Sequence, residues 1–137
     1  MTVPRDILRR YRTIAVVGAS NDLSKPAGSV PQYLVEHGYH VIPVNPNESE
    51  VLGGKSYPDL ESVPAPVEVV VIFRRAEDVP PVVEDAIKIG AKAIWMQTGI
   101  VNLEAARRAR EAGVEVVMDR CTRTELRYMI EDGEWAQ

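Results

Sequence analysis

Cysteine is almost missing from this chain: Cys121 is the only one, so neither an intrachain disulfide scaffold nor a cysteine-built zinc site is available. A reducing cytoplasm is the setting this implies. Long apolar runs are missing too, since the uncharged apolar stretches extend only a few residues against the ~20 needed for a span. The N-terminus, with Pro4, Arg5 and Asp6, lacks an apolar signal core. A membrane partner and a visible export signal are therefore not expected. Basic charge is also short, with 16 Lys and Arg against 20 Asp and Glu and a net charge of −4. That balance lacks the basic footprint of phosphate-backbone binding, so nucleic acid is not an expected partner. Arg5, Arg9, Arg10 and Arg12, opposed only by Asp6, carry +3 of the balance, and the rest of the chain stands near −7. An anionic ligand must then be held by local geometry.

What is present is ordinary globular material: 45% hydrophobic and 26% charged residues, which leaves little room for disorder, collagen or coiled coil. At 137 residues, against roughly 100–200 per domain, one domain spanning 1–137 is expected. Val/Ile-rich runs at Thr13–Val17, Tyr39–Val44, Val67–Phe73, Lys92–Gln97 and Val114–Met118 are bounded by Gly, Pro or Asn and read as strands. Between them lie helical periods at Ala27–Glu36, Val79–Ile89 and Leu103–Ala112, stopped by Gly38, Gly90 and Gly113. A last helix starts at Thr122, where Thr122 to Glu125 has the spacing of a capping box. Strands apolar on both faces and alternating with helices predict a parallel sheet covered on both sides. The expected fold is a Rossmann-like three-layer α/β/α domain, a doubly wound sheet of about five strands. The expected strand order is 3-2-1-4-5, although the residues do not dictate it. Residues 45–66, rich in proline, replace or shorten the second crossover helix.

In such sheets the ligand crevice lies beyond the carboxyl ends of the strands. Those ends carry Gly18-Ala19-Ser20, Asn45-Pro46-Asn47, Phe73-Arg74-Arg75, Gln97-Thr98-Gly99 and Asp119-Arg120-Cys121. Any strand must end in polar loop, so each triplet alone is a weak signal. The first turn, with Ser24 and Lys25 before Pro26, offers backbone N–H groups, a hydroxyl and a cation to a phosphate at a helix start. It is not the dinucleotide fingerprint: position 20 is Ser, position 23 is Leu and the next glycine is Gly28. Nor does the second strand end in the acidic residue that holds ribose hydroxyls, so NAD in its usual pose is disfavoured.

Six segments in order are similar to a known family. They are Val16-Val17-Gly18-Ala19-Ser20, Gly38-Tyr39 with Pro43-Val44-Asn45-Pro46, Val51-Leu52-Gly53 with Tyr57-Pro58, Val70-Val71-Ile72-Phe73-Arg74, Trp95-Met96-Gln97-Thr98-Gly99, and Met118-Asp119-Arg120-Cys121 followed by Glu125. Over about residues 10–132 the chain resembles the CoA-binding Rossmann domain. That domain occurs as small stand-alone proteins and as the first domain of the succinyl-CoA synthetase α subunit and of NDP-forming acyl-CoA synthetases. The resemblance implies coenzyme A or an acyl-CoA as the small-molecule ligand. It implies that Gly18, Ala19, Ser20 and Lys25 meet the nucleotide phosphates, that Asn45 and Pro46 border the adenine-ribose, and that Gln97, Thr98 and Gly99 also touch CoA. Two departures qualify it. The synthetases use a lysine just after the second strand, where this chain has Asn47-Glu48, so cation duty passes to Arg74, with Phe73 beside it. The phosphorylated histidine of their second domain has no counterpart, because His37 and His40 sit away from the carboxyl edge.

Binding without catalysis is the expectation, since no nucleophile–base pair is visible. The alternatives are a small NAD(P)-dependent reductase or a CoA-ligase accessory subunit needing a protein partner; a homodimer is also open. Gly53-Gly54-Lys55-Ser56 mimics the end of a P-loop, but position 49 is Ser where glycine is required. Asp119, Arg120 and Glu125 could form a polar cluster, or simply a cap and an ion pair. Cys121 lies on the ligand edge, where a CoA thiol could form a mixed disulfide; a small packing thiol is the competing reading. Trp95 is expected in the core and Trp135 at a subunit contact.

Overall fold

The computed structural model describes residues 3–135. Its elements run α1 (Pro4–Arg10), β1 (Thr13–Val17), α2 (Pro26–Glu36), β2 (His40–Val44), β3 (Glu50–Val51), β4 (Gly54–Lys55), β5 (Val69–Ile72), α3 (Val79–Lys88), β6 (Ala93–Met96), α4 (Leu103–Glu111), β7 (Glu115–Val117) and α5 (Thr122–Glu131). All four residues of β5 and of β6 are buried, as expected of strands covered on both faces. On one face α1, α2 and α5 pack Ile7, Leu34, Leu126 and Met129 against Val16, Val71 and Trp95. On the other, α3 and α4 pack Val83, Ala86 and Ala109 against Ala15, Val70 and Ile94. Trp95 is fully buried, and its indole N–H donates to the Arg120 carbonyl at 2.8 Å. Among the described residues no helix is long and apolar enough to cross a membrane.

The strand order corrects the expectation. The five long strands are parallel in the order β2-β1-β5-β6-β7, so the third long strand lies beside the first rather than outside the second. The reason is legible in β2. Pro43 accepts from Tyr57 N–H on the side away from β1, and Asn45 N–H donates to the Tyr57 carbonyl on that same side. Proline has no N–H to give there, which confines β2 to an edge. Residues 45–66 then carry the chain back across without a helix, through the β3–β4 hairpin, and bury Leu60 against the core. The P-loop look-alike is the turn and second strand of this hairpin.

Helix ends follow local chemistry. Asn102 caps α4 by accepting from Ala105 N–H at 3.0 Å. Gly38 ends α2 at φ +90°, with Tyr39 N–H reaching back to the Leu34 carbonyl in a Schellman closure. The capping box at Thr122 does not form. Cys121 is the N-cap without a side-chain bond, Thr122 is the first helical residue, and its hydroxyl accepts from the buried Gln97 amide instead. A one-residue offset therefore turned a cap into a cross-link between β6 and α5.

The short α1 escaped periodicity because seven residues with Ile7 and Leu8 inward give less than two clear repeats. It absorbs the N-terminal arginines: Arg5 pairs with Asp132 and Glu134, and Arg10 with Glu115. Arg12 lies 4.3 Å over the Trp135 ring, which stacks on Tyr39 with centroids 5.2 Å apart. Trp135 thus packs its ring between Arg12 and Tyr39 of its own chain. Tyr39 is 4% exposed and donates its hydroxyl to the Leu8 carbonyl at 2.6 Å. Burial raises its phenol well above the ordinary value of 10, opposed by Arg12. A raised folded-state pKa means stability that is present below pH ~10 and is lost as pH rises beyond it. Tyr39→Phe is expected to cost about 1 kcal/mol at neutral pH and to flatten that alkaline decline, read from urea melts across pH 7–11.

Candidate functional site

The switch point of this sheet lies between β1 and β5, whose following crossovers leave in opposite directions, and there a crevice should open at the carboxyl edge. A cleft of about 760 Å³ lies at that edge, within the ~300–1,000 Å³ of small-molecule sites. Four segments wall it: Lys25, Pro26 and Ala27 at the start of α2, Phe73 to Arg75 after β5, Gln97, Thr98 and Ile100 after β6, and Cys121, Arg123 and Thr124 at the start of α5. Val30, Phe73 and Ile100 form an apolar side, and Lys25, Arg74, Arg75 and Arg123 bring cations. No carboxylate is among the lining residues. In a chain of net charge −4, positive charge has been gathered at one place.

The four cations differ in their freedom. Arg75 donates to Asp78 at 3.1 Å and lies 3.5 Å from Glu77, contacts that raise its pKa. Lys25 lies 4.0 Å from Asp22, whose carboxyl is held below its usual range by the Ser24 hydroxyl and N–H. Arg123 donates to the Ser29 hydroxyl at 3.2 Å, joining α5 to α2. Arg74, partly buried, makes no side-chain hydrogen bond or ion pair among the described residues. The first turns of α2 and α5 both open on the cleft, where the helix dipole favours anions, although in α2 Pro26 has no N–H and Gly28 and Ser29 already donate to the Lys25 carbonyl.

Of the residues expected at the site, the cleft brings together Lys25, Phe73, Arg74, Gln97 and Thr98. Gly18, Ala19, Ser20, Asn45, Pro46 and Gly99 lie outside its lining, and the structure gives several of them internal work. Gly18 donates to the Val44 carbonyl and adopts φ +92°, in a place where a Cβ would lie 2.4 Å from the Phe73 carbonyl oxygen. Asn45 donates to the buried Ala19 carbonyl at 2.9 Å and accepts from Asn47 N–H, so its side chain staples the second strand end to the first turn. Ser20 accepts from Asp22 N–H. Gly28 lets the loop fold back, since a Cβ there would meet the Asp22 carbonyl at 2.3 Å. The loop between the two glycines is thus longer than a dinucleotide turn yet tightly closed. Gly99 N–H donates to Asp119, which ties the β6 and β7 ends together, while Arg120 reaches Glu125 at 3.5 Å. His37 stacks on Tyr33 and His40 is exposed, both off the cleft.

Sequence reasoning missed Arg123 and Thr124. Their signal was the α5 start: a helix beginning at Thr122 turns the residues after Cys121 toward the same edge.

Fold and cleft together define a Rossmann-like α/β domain with a crevice at its switch point whose lining includes four cations and no carboxylate. The chain belongs to the CoA binding domain family, whose model matches residues 12–127. It is 38% identical over 117 residues to the uncharacterized protein YneT of Bacillus subtilis strain 168, covering 85% of this chain and 87% of that one. A solved hypothetical protein from Pyrococcus horikoshii OT3 superimposes with a TM-score of 0.90 at 45% identity, over 93% of this chain and 89% of its own. An ADP-forming acetate–CoA ligase II of Archaeoglobus fulgidus is 32% identical over 91 residues, which are 64% of this chain but 14% of the ligase.

Proposed function

We propose that the chain binds coenzyme A or an acyl-CoA reversibly in the cleft at the switch point, as a single binding unit without a catalytic apparatus of its own. The observation that carries this is the carboxylate-free lining with Arg74 unspent. An ADP moiety with a pyrophosphate and a 3′-phosphate needs several convergent cations, and a guanidinium fork matches phosphate oxygens. The apolar side formed by Val30, Phe73 and Ile100 suits the less polar arm that carries the thiol. The turn Gly18–Ser20 and Lys25 would face the phosphates, and the Asn45-Pro46 backbone and the Thr98-Gly99 loop would border the ligand's ends. The lone, free Cys121 fits a reducing cytoplasm as its setting.

The test is to denature the purified protein, identify released small molecules by mass spectrometry, and compare melts with CoA and with NADH. CoA at ~100 times its dissociation constant should add about 2.7 kcal/mol, while NADH should leave the melt unchanged. A shift with NADH and none with CoA would overturn the reading. The match to the acetate–CoA ligase favours a second reading, in which the domain holds CoA for a catalytic partner. Copurification of such a partner with the tagged chain would support it.

A further inference from the structure

We propose that Cys121 is a covalent docking point for the thiol end of the ligand, exchanging with a CoA-containing disulfide to form a mixed disulfide inside the cleft; this rests on the CoA reading above. Cys121 lines the cleft and is partly exposed, so its sulfur can be reached from the ligand side. It is the N-cap of the ten-residue α5 and spends no side-chain bond on capping. Arg123, two residues on, lines the same cleft. Negative charge passing over the sulfurs during exchange would thus develop against a helix N-terminus and a guanidinium.

An independent observation points to a ligand group at this corner. Gln97 is 3% exposed and lines the cleft. Its amide N–H donates to Thr122, the residue after Cys121, but among the described residues nothing donates to its Oε1. That oxygen is not among the fully enclosed orphan atoms, so it opens on the cleft. Open to the cleft, that oxygen can take a ligand N–H beside Cys121 in exchange for water. The thiol arm of CoA carries amide N–H groups of this kind. Anchoring the nucleotide on the cations and the arm on Gln97 would bring its terminal sulfur to Cys121.

The step balances without another oxidant. The Cys121 thiolate attacks one sulfur of the CoA disulfide, a new S–S bond forms and the original one breaks. The second CoA leaves as its thiolate and takes up the proton that Cys121 lost.

Because the chain has one cysteine, intact mass reads the site directly. Wild-type protein is incubated with CoA disulfide, oxidised glutathione or cystamine. The expected result is one CoA adduct per chain, formed about tenfold faster or more than either other adduct through positioning in the cleft. It should be reversed by dithiothreitol and absent in Cys121→Ser. No adduct, or equal rates with all three disulfides, would overturn the proposal. Calorimetry of CoA with Cys121→Ser and with the reduced wild type separates the two failures. Reversible binding without a selective adduct removes only the covalent step; no reversible binding to either protein removes the CoA reading as well.

Discussion

Gly18→Ala is expected to destabilise the protein by about 2–5 kcal/mol and to disturb ligand binding with it. Two costs combine. At φ +92° an L-residue pays roughly 1–2 kcal/mol for the left-handed conformation. The new Cβ would also lie 2.4 Å from the Phe73 carbonyl oxygen and 3.2 Å from its carbonyl carbon, an overlap of the kind that costs ~1–3 kcal/mol. That carbonyl cannot step aside freely, because Phe73 N–H is bonded to Val17 and the next residue is Arg74 of the cleft. Relief would push β1 from β5 at the switch point. Gly38→Ala is the control: its φ of +90° is nearly the same, yet nothing lies within 4 Å of its Cβ. Thermal and urea melts should show Gly38→Ala losing only the conformational part. If both variants lose equal stability, the close approach to Phe73 is not what demands glycine.

The same contrast explains what could be read from residues alone. Strand and helix positions were legible because apolar period and punctuation agree: Thr13–Val17 stands as expected, and Gly38, Gly90 and Gly113 each end a helix at positive φ. Strand order was not, since apolar composition is the same for central strands in either arrangement; only Pro43, with its missing N–H turned outward, marked β2 as an edge. Among the residues expected to bind, Phe73, Arg74, Gln97 and Thr98 line the cleft because strand ends are countable, and Lys25 because it precedes the first crossover helix. That the Asn45 side chain is spent on Ala19 and Asn47, leaving it outside the cleft lining, could not be counted, since that use depends on folding. Arg123 depends on where α5 begins, and a one-residue error in the cap at Thr122 hides which residues of its first turn face the cleft.

Net charge misleads in a similar way. The N-terminal arginines look like the strongest basic cluster, yet they are paired with Asp132, Glu134 and Glu115 across the molecule. The cations that line the cleft are fewer, and two of them, Lys25 and Arg75, also keep acidic neighbours outside its lining; what sets the place apart is that no lining residue is a carboxylate and that Arg74 keeps no partner among the described residues.

Arg74→Ala should therefore weaken CoA binding by roughly 10–100-fold, the ~1.5–3 kcal/mol of a hydrogen bond to a charged group, while leaving the melting temperature of the free protein nearly unchanged. The stability half follows because Arg74 has no side-chain partner to strand among the described residues. Arg75→Ala should cost less affinity, because its guanidinium is engaged by Asp78 and Glu77. Arg74→Lys keeps the charge but loses the planar fork, so it should fall between alanine and wild type. Calorimetry at low and high ionic strength adds a second reading: wild-type affinity should drop with salt, and Arg74→Ala should drop less steeply because one charge contact has already gone. Unchanged affinity in Arg74→Ala would take this residue out of the site and move the phosphates toward Lys25 and Arg123, where the two helix starts would have to hold them.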